Sequence, residues 1–336
     1  MKAIMQWGRR GVLALALVAC VPGALWAQQG AKPNNGTKVS QGEADLAKKL
    51  QSASGLDNKF KIANDFLKKY PTSTIRPKVA DFMLVEIANT KDPAQKISGV
   101  ETYLGVFTEA SEQENAVPVL LDGYIAAQRW EDAFGLAPRV LEKKPDSLDV
   151  LTRLAVNGTN QMRADNRQYV DQSRQYAAQS VTIMEADKKP AEMTDTNWAE
   201  YKKAWLPIMY QAQAFLAMDA GKRAEARTGF QKAAKLAPAD PVNYYVQGVI
   251  SNDEYQALAK EYKVTPNGPA RDAVLLKVNA KLDEVIELYA QTIAVAANKP
   301  EQKQLADQVM QDLQSYYKFR KGSLNGLQAV IDKYKK

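Results

Sequence analysis

Apolar residues recur along most of this chain at steps of three and four positions, which is the spacing of one face of an α-helix. The segment around Val79, Phe82, Met83 and Ile87 is typical. No run alternates apolar and polar residues in the way that a half-buried strand would. The pattern therefore predicts an all-α protein.

Fifteen helices are predicted from this periodicity and from capping residues. Asp92-Pro93 and Asp240-Pro241 each place an N-cap Asp before a proline suited to the first helical position. Ser40 to Glu43, Ser111 to Glu114 and Asn197 to Glu200 resemble capping boxes. The predicted ranges are 41–53, 56–70, 75–90, 93–109, 114–128, 130–143, 148–160, 165–186, 197–219, 222–236, 241–251, 253–263, 270–297, 301–320 and 323–334.

Two segments repeat one spacing of small, aromatic and proline residues. Ala226, Phe230, Ala233 and Pro238 stand at offsets 0, 4, 7 and 12, and residues 133, 137, 140 and 145 repeat these offsets as Ala, Ala, Val and Pro. This pattern resembles the second helix of a tetratricopeptide repeat, whose unit is about 34 residues long. The clearest unit is 207–240, where Ala214 stands at the predicted closest approach of the paired helices.

The resemblance implies antiparallel helix pairs stacked into a right-handed solenoid over 40–265, with an irregular helical cap over 266–336. It also implies a concave groove lined by the first helix of each pair, which would bind a protein or peptide segment. The matching positions are Gln211, Phe215, Met218, Tyr245, Val249, Asn252, Asp149 and Thr152. The register predicts that Ala226→Leu destabilises the fold, whereas Gln211→Ala does not.

Residues 1–27 have the pattern of a signal peptide. Lys2, Arg9 and Arg10 precede an apolar run from Gly11 to Val21, and cleavage after Ala27 fits. Residues 28–39 are polar and glycine-containing, as in a flexible tether. Alternatively, Leu17 to Cys20 resembles a lipobox in which Cys20 is acylated. Both interpretations predict export: to the periplasm of a Gram-negative bacterium, or to its outer membrane as a lipoprotein that assists envelope assembly.

Charge and residue usage disfavour nucleic-acid binding and the commonest catalytic systems. The full chain has 45 basic and 38 acidic residues. Removing Lys2, Arg9 and Arg10 leaves 42 basic and 38 acidic residues, a net charge of +4, which is mild for a nucleic-acid binder. No histidine is present, and there is no glycine-rich phosphate loop.

These absences favour a scaffold without cofactor or metal. A cell-wall hydrolase remains the enzymatic alternative, and it would need a pair of carboxylates to converge, with the pKa of at least one raised by burial. The basic aromatic run 316–321 is interpreted as the end of a terminal helix with its aromatic rings packed inward. Neither the partner nor the oligomeric state follows from the sequence.

Overall fold

The computed structural model describes residues 39–335, and these form α-helices joined by short turns, with no strand among them. The predicted signal peptide, Cys20 and nearly all of the predicted tether lie outside the described residues. The helices are α1 (Gln41–Ser52), α2 (Leu56–Lys69), α3 (Arg76–Ala88), α4 (Pro93–Val106), α5 (Ala110–Ala126), α6 (Trp130–Lys143), α7 (Leu148–Arg163), α8 (Val170–Glu185), α9 (Asp195–Asp219), α10 (Arg223–Leu236), α11 (Pro241–Val264), α12 (Pro269–Ala296), α13 (Lys303–Lys321) and α14 (Leu327–Asp332), with a 3₁₀ turn at Pro300–Gln302.

Side-chain caps fix several helix starts. The predicted capping box of α1 is confirmed: the Glu43 amide donates to Ser40 Oγ at 3.3 Å, and the Ser40 amide donates to Glu43 Oε2 at 2.7 Å. Asp92 Oδ1 accepts from the Gln95 amide at 2.9 Å, and Asp240 Oδ1 accepts from the Val242 amide at 3.0 Å. These caps satisfy amides that have no partner within the helix.

Two of the predicted starts lie too far along the chain, because residues further upstream act as caps. Helix α5 begins at Ala110 rather than 114, and its capping box pairs Glu109 with Glu112. Helix α9 begins at Asp195 rather than 197, because the Thr194 hydroxyl accepts from the Asn197 amide at 3.2 Å.

The predicted break near Asn252 is also wrong, because α11 runs without interruption from Pro241 to Val264. No glycine or proline interrupts the sequence at that point, and the helix buries Ile250, Ser251 and Tyr255 on either side of Asn252. Packing on both sides therefore outweighs the weak helix propensity of Asn.

The chain divides into two compact units between Leu154 and Ala155, inside α7. We call these unit 1 and unit 2. Within unit 2, α12 of the predicted cap packs closely on α11. A Cβ atom added to Gly248 of α11 would lie 2.5 Å from the Tyr289 ring of α12.

In unit 1 the core joins α1 to α5 through large buried side chains, among them Phe66, Met83, Ile87, Tyr103 and Phe107. The rings of Tyr103 and Phe107 stack with their centroids 4.5 Å apart. Helix α3 packs on α4 and α5, and α2 packs on α4. Helices that are separated by one other helix in the sequence therefore also pack on each other, as α3 does on α5 and α2 on α4.

In unit 2 the small and aromatic residues of the repeat pattern on α10 are fully buried. Ala226, Phe230 and Ala233 of α10 are inaccessible to solvent, and Ala133 and Ala137 of α6 in unit 1 are inaccessible in the same way. A Cβ atom on Gly229 would lie 2.8 Å from the Ala214 Cβ atom, so α9 and α10 come close together at Ala214. Only small residues allow helices to approach this closely.

Tyr103→Phe is expected to raise the free energy of unfolding by about 1 kcal/mol, because a buried hydroxyl without a partner has lost its hydrogen bonds to water. The Tyr103 hydroxyl is buried and has no hydrogen-bond partner among the described residues. Burial raises the pKa of this phenol, and the nearby charges of Glu112 and Asp81 raise it further. Urea unfolding followed by far-UV circular dichroism measures the change.

Tyr244→Phe is the matched control, because the Tyr244 hydroxyl donates to the Pro238 carbonyl oxygen at 3.0 Å. That substitution is expected to lower stability. If Tyr103→Phe lowered stability to the same extent, the Tyr103 hydroxyl would have a partner after all.

Candidate functional site

Three of the predicted groove residues, Phe215 and Met218 of α9 and Tyr245 of α11, meet in one cluster of unit 2. They are partly buried, together with Val242, and they pack around the buried core of Ala214, Ala226, Phe230, Val246 and Ile250. We call Phe215, Met218, Val242 and Tyr245 the apolar surface. Two helices that are not consecutive thus pack partly exposed apolar side chains against the same buried core.

The Phe215 side chain is held from two sides. Its ring meets the buried Phe230 ring edge to face, with the centroids 5.0 Å apart and the planes at 83°. The guanidinium carbon of Arg163, the last residue of α7, lies 4.4 Å from the Phe215 centroid. Phe215 is therefore a fixed ring between an apolar core and a cation.

The Tyr245 side chain belongs to an aromatic group that links α11, α12 and α13. Its ring stacks on Tyr289 with the centroids 6.3 Å apart, and Tyr289 contacts Tyr316 at 6.3 Å. Burial raises the pKa of Tyr245, and the Asp312 charge raises it further, so the phenol is neutral at physiological pH.

Asn252 and Val249, which lie on α11 beyond Tyr245, are both partly buried. The side chains of Asn252 and Tyr316 share a hydrogen bond. The Asn252 Oδ1 atom is buried and has no partner among the described residues. Asn252 therefore lies against α13 and is not an open groove position.

Gln211 does not line a surface. It is 5 % exposed, and its Nε2 atom donates to Asp240 Oδ2 at 2.7 Å and to Asn243 Oδ1 at 2.9 Å. These bonds join the middle of α9 to the start of α11. Gln211→Ala is therefore expected to destabilise the fold, contrary to the sequence-based prediction, because it would leave the Asp240 and Asn243 acceptors without their donor.

Asp149 and Thr152 belong to unit 1, whereas the residues of the apolar surface belong to unit 2. Thr152 is 0 % exposed, and its hydroxyl donates to the Leu148 carbonyl oxygen at 2.7 Å, a bond that keeps it within its own helix. Asp149 is exposed and accepts from Arg153 Nη1 at 3.1 Å. The sequence assigns Thr152 to the groove from its spacing alone. Spacing within one helix does not show whether another part of the protein covers a residue, and Thr152 is buried.

Arg163 is the residue of this region that the sequence interpretation missed. The periodicity predicts a helix end at 160 and places Arg163 in a loop, whereas α7 continues through Arg163. A cation at the C-terminal end of an apolar helical face was the only available signal, and such cations usually just complement the helix dipole.

A cluster of four charged side chains joins α10, α11 and α12. Arg227 donates to Glu284 at 2.7 Å and to Glu254 at 2.9 Å, and Lys281 lies 2.8 Å from Glu254 and 2.6 Å from Glu284. Burial tends to raise the pKa of both carboxyls, but the two cations outweigh it and the net shift is downward. The charges balance, which marks a structural network rather than a general acid.

Carboxyl groups whose pKa is raised by burial also occur, at Asp81 in unit 1 and at Asp312 in unit 2. Residues 39–335 contain no group of three or more potential acidic, Cys or His ligands placed to hold a metal ion. Within the same residues, no helix is both long and apolar enough to cross a membrane.

No protein-family model matches the chain, and no curated protein matches it significantly. What the structure establishes about the class of protein is its fold, which is all-α over the described residues.

Proposed function

We propose that this protein is an exported helical-repeat scaffold that binds a protein or peptide segment on the apolar surface of unit 2. The observation that carries the proposal is the meeting of Phe215, Met218 and Tyr245, which remain partly exposed although they border the core. Aromatic and Met side chains in such a position are typical anchors for a bound segment.

A tetratricopeptide-like solenoid is the architecture that we propose for the scaffold. Its support is the matching burial of the small positions in α6 and α10, and the close approach of α9 to α10 at Ala214. Such helical pairs bury little surface alone and gain stability by stacking. The proposed binding role requires neither cofactor nor metal, and the mild net charge of the chain makes nucleic acid a poor partner.

Export is proposed from the N-terminal sequence alone. Periplasmic release after Ala27 is the primary proposal, and anchoring to the outer membrane through acylated Cys20 is the alternative, favoured by the Leu17 to Cys20 motif. The mass of the mature N-terminus separates the two, because acylation leaves a lipidated cysteine as the first residue.

Photo-crosslinking in cells tests the binding surface. A crosslinkable amino acid placed at Phe215 or Tyr245 is expected to capture the same partner at both positions, because the two side chains share one cluster. Mass spectrometry of the envelope fraction identifies the product. Leu276 of α12 is the control position, because it is apolar and 71 % exposed but is not part of the apolar surface.

Equal crosslinking at Leu276 would mean non-specific contact. If every crosslink joined two copies of this chain, the proposed binding of a partner would be wrong, and the surface would serve self-association.

A further inference from the structure

Arg163 differs from every other arginine in residues 39–335. Each of the other ten donates a hydrogen bond to a carboxylate or to an amide oxygen, for example Arg167 to Asp219, Arg227 to Glu284 and Arg271 to Asn267. Among the described residues, Arg163 has neither a hydrogen bond nor an ion pair, and its one contact of this kind is with the Phe215 ring. Five N–H donors are thus left without a protein acceptor.

The neighbouring carboxylate is already occupied. Asp219 lies one turn beyond Phe215 on α9, and its two oxygens accept from the two terminal nitrogens of Arg167. Arg163 is itself partly buried, and this burial lowers its pKa without any compensating partner. The dipole of α7 accounts for a cation at this helix end, but it provides no hydrogen-bond acceptor for the N–H groups of the guanidinium.

We infer that Arg163 binds a side-chain carboxylate of the segment that occupies the apolar surface. The inference rests on the proposed function, and it specifies the partner: a segment that carries Asp or Glu beside an apolar anchor. The anchor packs on Phe215, Met218 and Tyr245, and the carboxylate accepts two parallel hydrogen bonds from the planar guanidinium.

The geometry favours this chemistry for two reasons. Stacking on the fixed Phe215 ring holds the guanidinium plane in place, so less conformational freedom is lost when a carboxylate binds. Partial burial also strengthens a charge-assisted hydrogen bond relative to one in bulk water. A phosphate group, which carries almost two charges, would call for a second cation, and the adjacent Arg167 is engaged by Asp219.

Peptide display on the purified mature protein provides the test. Random peptides fused to the carrier through their C-termini present no free carboxyl terminus, so any selected acid is a side chain. Wild type is expected to enrich peptides with Asp or Glu near an aromatic or aliphatic residue. Arg163→Gln is expected to keep the apolar preference and to lose the acidic one.

Arg271→Gln is the matched control, because Arg271 also stacks on an aromatic ring, Tyr262, at 4.5 Å. It is expected to select the same peptides as wild type. A selected peptide is then synthesised with an amidated C-terminus, in a Glu and a Gln version. Wild type should bind the Glu version about tenfold more tightly, as expected for a charge-assisted pair, and Arg163→Gln less than about twofold.

The outcomes separate the inference from the function that it rests on. Apolar peptides selected without acidic residues, or an acidic preference that survives Arg163→Gln, would overturn the inference and leave the proposed surface intact. A preference for a free carboxyl terminus over the amide, with no Glu–Gln difference, would overturn the side-chain assignment. If wild type selects no peptide, both fail. Circular dichroism establishes that each variant is folded. Arg163→Lys is expected to show an intermediate preference for the Glu peptide over the Gln peptide, because lysine keeps the charge but not the planar fork.

Discussion

Ala226→Leu is expected to lower the free energy of unfolding by about 3 kcal/mol, near the upper end of the usual range for overpacking. Ala226 is fully inaccessible and lies in the core cluster with Ala214, Phe230, Val246 and Ile250. Helices α9 and α10 are already in close contact at Ala214 and Gly229, so they leave no room for the three added carbon atoms. Urea unfolding with far-UV circular dichroism measures the loss, and hydrogen exchange locates it in unit 2.

Ala224→Leu is the control for this substitution, because residue 224 lies on the same helix but is exposed. It should change stability by less than about 0.5 kcal/mol. Equal stability of wild type and Ala226→Leu would contradict the packing of α10 described here and would remove the support for the repeat pattern.

The second large effect is expected for Glu112→Ala, which breaks a buried ion pair in unit 1. Glu112 is 4 % exposed, and its two oxygens accept from Arg76 Nε at 2.7 Å and from Arg76 Nη2 at 2.8 Å. The same side chain accepts from the Glu109 amide at 3.0 Å and so caps α5. Removing the Glu112 side chain leaves Glu109 as the remaining carboxylate partner of Arg76 among the described residues. We expect the free energy of unfolding to fall by about 3 kcal/mol at neutral pH.

The ion pair also makes the stability of unit 1 depend on pH. Burial alone would raise the pKa of Glu112. The hydrogen bonds from Arg76 and from the Glu109 amide, together with the Arg76 charge, outweigh burial and lower this pKa below its usual value of 4.5. Because the folded-state pKa is the lower one, the stabilisation is complete above the unfolded-state pKa and is lost as the pH falls towards the folded-state value. Unfolding measured between pH 7 and about pH 3 should therefore show a shallower decline for Glu112→Ala than for wild type.

Glu114→Ala tests whether burial is the cause of these effects. Glu114 lies two residues further along α5 and pairs with Arg139 and Lys143, but its surroundings are open to solvent. Its removal is expected to change stability little, because exposed ion pairs contribute little. A loss equal to that of Glu112→Ala would show that charge, rather than burial, determines the contribution.

Local sequence predicted the helices well wherever a cap or a proline marks the start, as at Ser40, Asp92 and Asp240. It placed other ends wrongly where several polar residues compete for the cap, as at Glu109 and Thr194. The C-terminal run 316–321 shows the same limit. Tyr317 is buried as expected, but Phe319 is 75 % exposed, because it lies on the opposite side of α13 from the buried stripe.

The candidate site was predictable only in part. The sequence places Phe215, Met218 and Tyr245 at equivalent positions of successive units, and the structure packs all three against one buried cluster. Gln211 was misplaced on an open face because its partners, Asp240 and Asn243, come from a helix that begins about thirty residues later in the chain. Arg163 was missed for a related reason, since a missing partner is visible only when every neighbouring side chain has been placed.

The sequence by itself determined that this protein is helical, where most helices begin, and which small residues stand where helices meet. These properties depend on contacts within a few residues, through backbone hydrogen bonds, caps and the 3.6-residue period. Only the tertiary structure decided that Gln211 and Thr152 are buried, that Phe215 and Tyr245 pack against one core cluster, and that the Arg163 guanidinium has no hydrogen-bond acceptor among residues 39–335. Exposure and pairing depend on side chains that are distant along the chain, and the periodicity of one helix carries no information about them.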